Sequence, residues 1–231
     1  MESGDGRSID PAKVAALIPA FLEEAHIADV VRRTRKCLPH VFVVDDGSPD
    51  ETGARARAAG AEVISHPRNL GKGAAIKTGL REVLKREFDY AVLLDGDGQH
   101  LPEEIGRFLS AGAEHNAGIF IGNRMVDTTG MPPVRLLTNR FMSWQIGLLC
   151  GCRVPDSQCG FRMLRRDVIP DFFCESNAYD YETEMILVAG RAGHRIISVP
   201  VTTVYGDEQS KIRAFQDSYR FFRLMARYWR K

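Results

Sequence analysis

The chain has no CxxC pair, no G-x-G-x-x-G run after its first apolar segment, and no apolar stretch near the ~20 residues that a membrane-spanning helix needs. Each absence removes a class of protein. The five cysteines, Cys37, Cys150, Cys152, Cys159 and Cys174, are odd in number and lack metal-ligand spacing. That argues against a zinc site or a disulfide framework and for reduced cytosolic thiols. Without the glycine fingerprint a Rossmann cofactor site is disfavoured, and Gly71-Lys72-Gly73 does not have P-loop spacing, although it opens a helix that can hold a phosphate. An excess of either charge is also missing: 31 Lys plus Arg stand against 30 Asp plus Glu, so the bulk charge announces no nucleic-acid partner. The polar, acidic start MESGDGRSID lacks the basic start and apolar core of a signal peptide. The expectation is a cytoplasmic protein, soluble or peripheral on the cytosolic face of a membrane.

What is present is a rhythm of short apolar runs and helix-like stretches. Residues 14–18, 41–44, 61–64, 90–94 and 118–121 read as strands, and 23–36, 50–59, 73–86 and 102–115 as the helices between them. Strands this apolar, alternating with helices, predict βαβ crossovers and a mostly parallel sheet covered on both faces. After Arg124 the pattern loosens into a Gly/Pro loop at 128–133, a helix near 136–149, an irregular middle, a helix near 182–192 and a strand at 195–199. The reading is one α/β domain over residues 11–206, with a flexible N-terminus at 1–10 and a loop plus basic helix at 207–231.

Ligands of open parallel sheets bind beyond the carboxyl ends of the strands. Those ends here carry Pro19-Ala20-Phe21, Asp45-Asp46-Gly47-Ser48, His66-Pro67-Arg68-Asn69, Asp95-Gly96-Asp97 and Gly122-Asn123-Arg124. Charged groups of both signs thus converge on one edge. Asp95 and Asp97, one glycine apart with Gln99 and His100 behind them, make a hard-oxygen site suited to Mg²⁺ or Mn²⁺. Asp46 is read as an acceptor for a base N–H or a ribose hydroxyl, whereas Ser48 and Asp50 suit a turn and helix cap.

The order ALIPAFLEEAHI, VFVVDDGSPDET, HPRNLGKGAAIKTGL, YAVLLDGDGQHLPEEI, IGNRM, VPDSQCGFRM, ETEMILVAGRAGHRI and VYGDEQSKI resembles family 2 glycosyltransferases. The similarity is strongest to the polyprenyl-phosphate (dolichyl-phosphate) mannosyl- and glucosyltransferase branch, and it spans about residues 14–213. The resemblance implies a GT-A fold, a nucleotide-diphosphate sugar donor, a divalent cation and a polyprenyl-phosphate acceptor. By similarity Asp95, Asp97 and Gln99 hold the metal, and Pro19, Phe21, Glu23 and Asp46 line the nucleoside pocket. Arg124 and Arg135 match positions that hold the acceptor phosphate, Asp156 and Gln158 match a motif facing the sugar, and Lys211 matches a basic residue near the phosphates. Lys72 joins this set as a phosphate contact, and Asp97, Arg124 and Asp156 are the expected catalytic residues.

The acceptor chemistry agrees. A phosphate monoester is mostly ionised at neutral pH, with a second pKa near ~6, so it needs arginines to position it more than a general base. The second half of the chain supplies Arg124, Arg135, Arg140 and Arg162, of which Arg140 and Arg162 read equally as surface charges. Two departures from the family pattern stand out: Phe21-Leu22 replaces a frequent Tyr-Asn, and Val201-Thr202-Thr203 replaces a frequent arginine. From Lys211 to Lys231 there are seven basic residues against one acidic, with Phe215, Tyr219, Phe222, Ala226 and Trp229 at helical spacing. That stretch is either a helix packed on the domain or one lying on an anionic membrane. A hydroxyl acceptor, or a non-catalytic nucleotide-sugar-binding protein, is the alternative to the lipid-phosphate reading.

Overall fold

A computed structural model describes residues 8–202 and 214–229. In chain order the elements are β1 (Val14–Ala20), α1 (Ile27–Cys37), β2 (His40–Asp45), α2 (Thr52–Ala58), β3 (Glu62–Ser65), α3 (Lys72–Lys85), β4 (Tyr90–Leu93), α4 (Ile105–Glu114), β5 (Ile119–Asn123), α5 (Pro133–Cys150), β6 (Arg162–Arg165), α6 (Asp180–Arg191), β7 (Ile196–Pro200) and α7 (Ala214–Trp229). Seven strands form one sheet in the order β3-β2-β1-β4-β6-β5-β7. All neighbours are parallel except β6, which runs antiparallel to both β4 and β5.

The five strands expected in the first half are present, as are the helices between them. The first of these helices begins at Ile27 rather than at residue 23. It buries Ile27, Val30, Val31 and Thr34, three of them the apolar positions that gave it its period. All seven residues of β1 are buried, as a central strand covered on both faces requires. Each fully buried Val, Leu or Ile side chain contributes roughly 1.5–3 kcal/mol, and β1, β2 and β4 form the middle of that core.

The irregular middle is corrected by β6. This strand of only four residues, RMLR, inserts between β4 and β5, so these two do not pair. Its direction matters for the site. An antiparallel strand enters the sheet at the edge where its parallel neighbours end, so the segment leading into Arg162 arrives at the carboxyl ends of β4 and β5. Residues 156–161 are thereby delivered next to Asp95 and Arg124.

Pro19 lies inside β1, where a proline ordinarily costs a ladder hydrogen bond. The Leu17 carbonyl accepts from Leu94 N–H on the β4 side, and β4 pairs with β1 no further than Leu17. Pro19, two residues on, faces the same way past the end of that ladder, so its missing N–H breaks nothing. On the other side β1 stays joined to β2, with Asp46 N–H donating to the Ala20 carbonyl at 2.8 Å. The sheet therefore opens between β1 and β4 at the level of Pro19 and Asp95.

Candidate active site

The turn after β4 places Asp95 and Asp97 over that opening. Lys72, at the first position of α3, puts its ammonium 2.6 Å from Asp95 Oδ1 and 3.0 Å from Glu182 Oε2 in the first turn of α6. Burial alone lowers the Lys72 pKa, but Asp95 and Glu182 outweigh it and the net shift is upward. Burial raises Asp95, and the Lys72 ammonium overrides this and holds its carboxyl below the usual range. Asp97 has no such neutralisation: burial first, then the Asp95 charge, push it up to about 6. Its Oδ1 accepts the Gln99 N–H at 3.0 Å, which shapes the turn.

His100 is buried, and burial pushes its pKa down to about 4, so it is neutral at pH 7. Its Nδ1 accepts the Asp95 backbone N–H at 3.2 Å, which places the ring proton on Nε2 and fixes the Asp95 backbone. Its ring packs on Phe161 with centroids 5.3 Å apart.

Two glycines let these parts meet. A Cβ on Gly160 would lie 2.8 Å from Asp95 Oδ2 and 3.0 Å from Glu182 Oε1, so only glycine fits between the two carboxylates. Gly71, with φ of 101°, turns the chain into α3 beneath the Asn177 carbonyl, where a side chain would collide at 2.3 Å.

A second cluster follows β5. Arg124 donates Nε and Nη2 to the two oxygens of Asp156 at 2.7 and 2.8 Å, and its backbone N–H adds a third bond at 3.0 Å. Asn139, from α5, donates to Asp156 Oδ1 at 2.7 Å. Ser143, one turn further along α5, donates to Asn139 Oδ1 at 2.9 Å and accepts the Ser157 N–H at 2.9 Å. Asp156 is 1% exposed and Arg124 4%, and the Arg124 contacts depress the Asp156 pKa despite burial. The Asp156 carboxylate holds Arg124, so the guanidinium is a positive charge fixed in place at the end of β5. Arg135 is exposed on the first turn of α5, one turn before Asn139. Gln158 is exposed and donates Nε2 to Ser157 Oγ at 3.1 Å.

Other expected residues change role. Asp46 is 2% exposed. Its Oδ1 accepts the Leu70 N–H at 2.9 Å and its Oδ2 the Gly71 N–H at 2.7 Å, while His66 Nδ1 lies 2.7 Å from Oδ1. Through these bonds it organises the loop that presents Lys72. Arg162 is fully buried and binds neither phosphate nor solvent; Nε and Nη2 donate to the carbonyls of Cys159 and Ser157, and Nη1 to that of Glu182. It clamps the loop entering β6 to the start of α6. Phe21 and Glu23 are half-buried after β1, with Glu23 packed near Gly96 and its N–H donating to Thr52 Oγ1 at 2.8 Å. Lys211 lies outside the described residues.

Glu182 is a site residue that the sequence reading did not place there. Its position 110 residues after Lys72 gave no sign of the ion pair. Among the described residues no three His, Cys, Asp or Glu side chains form a ready-made metal cage. The donor set nonetheless fits a hard dication. Two carboxylates share one turn, Asp95 paired with Lys72 and Asp97 raised by burial and by the Asp95 charge beside it. Mg²⁺ commonly takes one or two carboxylates and completes its shell with water and phosphate oxygens.

A family model described as "Glycosyl transferase family 2" matches residues 15–173. The chain belongs to this family. It is a family 2 glycosyltransferase that is 34% identical over 207 residues to an undecaprenyl-phosphate mannosyltransferase of Micrococcus luteus, covering 83% of this chain and 84% of that one. A polyprenol monophosphomannose synthase of Mycolicibacterium smegmatis is 30% identical over 221 residues, covering 87% and 83%. Among solved structures, glucosyl-3-phosphoglycerate synthase of Mycobacterium tuberculosis with UDP superposes with a TM-score of 0.75 at 20% identity, covering 93% of this chain and 79% of that one. The same synthase with Mg²⁺ and UDP gives 0.71 at 19% identity, covering 93% and 78%. The seven-stranded, mostly parallel sheet of this glycosyltransferase is the GT-A fold that the resemblance implied.

Proposed function

We propose that this glycosyltransferase moves a hexose from a nucleoside-diphosphate sugar to a polyprenyl phosphate. The observation that carries the donor half is the Asp95–Gly96–Asp97 turn, where one carboxylate is neutralised by Lys72 and the other is left charged. Asp95 and Asp97 would hold a divalent cation, with Gln99 beside them. When bound, such an ion neutralises the diphosphate and stabilises the departing nucleotide. Lys72 keeps a positive charge next to the same place, and His100 fixes the backbone that carries Asp95.

The acceptor half is supported by the Arg124–Asp156 cluster, by Arg135 one turn away, and by the names of the two bacterial relatives. An acceptor phosphate oxygen attacks the anomeric carbon, the bond from that carbon to the diphosphate oxygen breaks, and the electron pair leaves with the nucleoside diphosphate. No proton needs to be removed, because the phosphate arrives ionised. Arg135 would meet the phosphate and Gln158 the sugar, while Asp156 orients Arg124 and Asn139 orients Asp156. One displacement inverts the anomeric carbon; an α-linked product from an α-linked donor would sink this mechanism.

The test is nucleotide release from a panel of UDP- and GDP-sugars with Mg²⁺ or Mn²⁺, with and without a short polyprenyl phosphate. Release that needs one donor, the cation and the lipid phosphate, and is lost in Asp97→Asn, is expected. Release that is indifferent to the lipid, but rises with a small phosphorylated acceptor such as phosphoglycerate, would replace the lipid reading with a soluble one.

A further inference from the structure

The segment 174–178 has no regular structure, yet buried charged groups on two helices grip it. Lys77, on α3, is 9% exposed and donates its ammonium to the carbonyls of Cys174 and Ser176 at 2.9 and 3.0 Å. Glu184, on α6, is 2% exposed and accepts the Ser176 N–H at 2.9 Å through Oε2. Its other oxygen meets α7, where Arg227 pairs with it and the Tyr228 hydroxyl donates to it at 3.1 Å. Arg227 also pairs with Glu175 at 2.6 Å. Burial raises the Glu184 carboxyl, but the Ser176 bond and the Arg227 charge outweigh it, and the net shift is downward. Desolvating a charge is costly unless bonds replace its water. Lys77 and Glu184 both recover theirs from one short strap, so moving the strap strands both.

The strap in turn caps α3. The first N–H groups of a helix have no partner within it, and Gly71, the residue before α3, offers no side chain for the purpose. The Asn177 carbonyl serves instead, accepting the Ala74 N–H at 3.2 Å. A Cβ on Gly73 would lie 2.9 Å from the Asn177 carbonyl carbon and 2.6 Å from Tyr181 Cβ, so Gly73 as well as Gly71 lies directly against the strap and the start of α6. Lys72 stands between these glycines. The chain beyond the strap carries two groups that flank its ammonium: the Tyr179 ring, with its centroid 5.8 Å from Nζ, and Glu182 at 3.0 Å. A shift of the strap therefore moves the cap of α3, the ring and the carboxylate together.

We infer that Glu184 is a positioning residue for the donor: joined to α7, it fixes the 174–178 strap, and the strap sets Lys72 against Asp95. The link runs from Arg227 and Tyr228 through Glu184, Ser176 and Asn177 to the first turn of α3. The inference rests on the donor reading above, in which Lys72 keeps a positive charge beside the diphosphate. A charge held in place acts on that group without having to reorganise. α7 is thereby part of the support of the donor site, with the ionised Glu184 as the joint.

The test uses the full chain with Glu184→Gln, and with Arg227→Met, at a partly exposed position, should the first variant fail to fold. Hydrogen exchange of the Ala74 amide, measured without nucleotide, should quicken at least ~tenfold in either variant. Affinity for UDP or GDP with Mg²⁺, by calorimetry, should fall about tenfold, the partial loss of a charged contact. In a Lys72→Met background the same changes should leave that affinity untouched, because the residue they position is gone. A Glu184 that only stabilised the fold would lower the melting temperature, and its affinity loss would add to that of Lys72→Met. Additive losses, or Ala74 exchange at the wild-type rate, would overturn the inference. A wild-type chain that binds neither nucleotide would remove the donor reading, and quickened Ala74 exchange would then still support the link from α7 to α3.

Discussion

At Leu22 the backbone enters the left-handed region with φ of 57°, where a side chain with a Cβ is disfavoured by about 1–2 kcal/mol. The Leu22 N–H is held by Ser48 Oγ at 3.1 Å, and the side chain is exposed. Asparagine tolerates this conformation better, which explains physically why a Tyr-Asn pair is common where this chain has Phe21-Leu22. Leu22→Asn should therefore stabilise the protein by about 0.5–1 kcal/mol in urea unfolding; a destabilised variant would show that Leu22 makes a contact worth more than the strain. Asp97 makes a second case. Its folded pKa, about 6, lies above that of an unfolded aspartate, so ionisation costs the folded state more than the unfolded one. Without divalent cations, stability should fall as pH rises from about 4 to about 6. Asp97→Asn should remove that slope and melt higher at pH 7, by roughly 2–4 °C for each kcal/mol relieved. Melting curves in chelator that show the same pH profile for both proteins would contradict this. If the slope does disappear in the variant, the carboxylate proposed to hold the cation is one that the bare fold is better without.

Among the elements, the pairing of the β5 exit with the segment entering β6 buries an ion pair. Arg124 and Asp156 are bonded through two side-chain contacts inside the protein, and removing one partner strands a buried charge. Asp156→Ala should cost about 3–5 kcal/mol in denaturant unfolding. A loss under about 1 kcal/mol would mean that the pair is effectively solvated. The sequence exposed the ends of this pairing but not the pairing itself. Arg124 was legible because it follows an apolar strand directly, and Asp156 because PDSQCGFR resembles a family motif. That both sit in one buried contact, with Asn139 and Ser143 behind them, depends on how α5 lies. The spacing of 134, 137, 141, 144 and 148 would ordinarily be taken as an inward face. Asp46 shows the same gap: that this strand-end carboxylate accepts the Leu70 and Gly71 N–H groups depends on a loop whose path the sequence does not give.

For the molecule as a whole, the alternation of apolar runs and helices was enough to specify a mostly parallel sheet and to gather the charged strand ends on one edge. β6 escaped because half of its four residues are arginines and it has no run of apolar positions. Arg162 is tolerated inside only because three backbone carbonyls from two distant segments receive it. The same strand has a consequence for how the polypeptide emerges from a ribosome. When residue 123 has been made, β5 has no neighbour in the sheet, and β4 is paired on its β1 side alone. Both must wait for Arg165, on the order of seconds later at ordinary rates of synthesis. During that interval two apolar edges stand unpaired, the arrangement that invites aggregation. Nascent chains arrested just before residue 162 should be the species that chaperones hold longest.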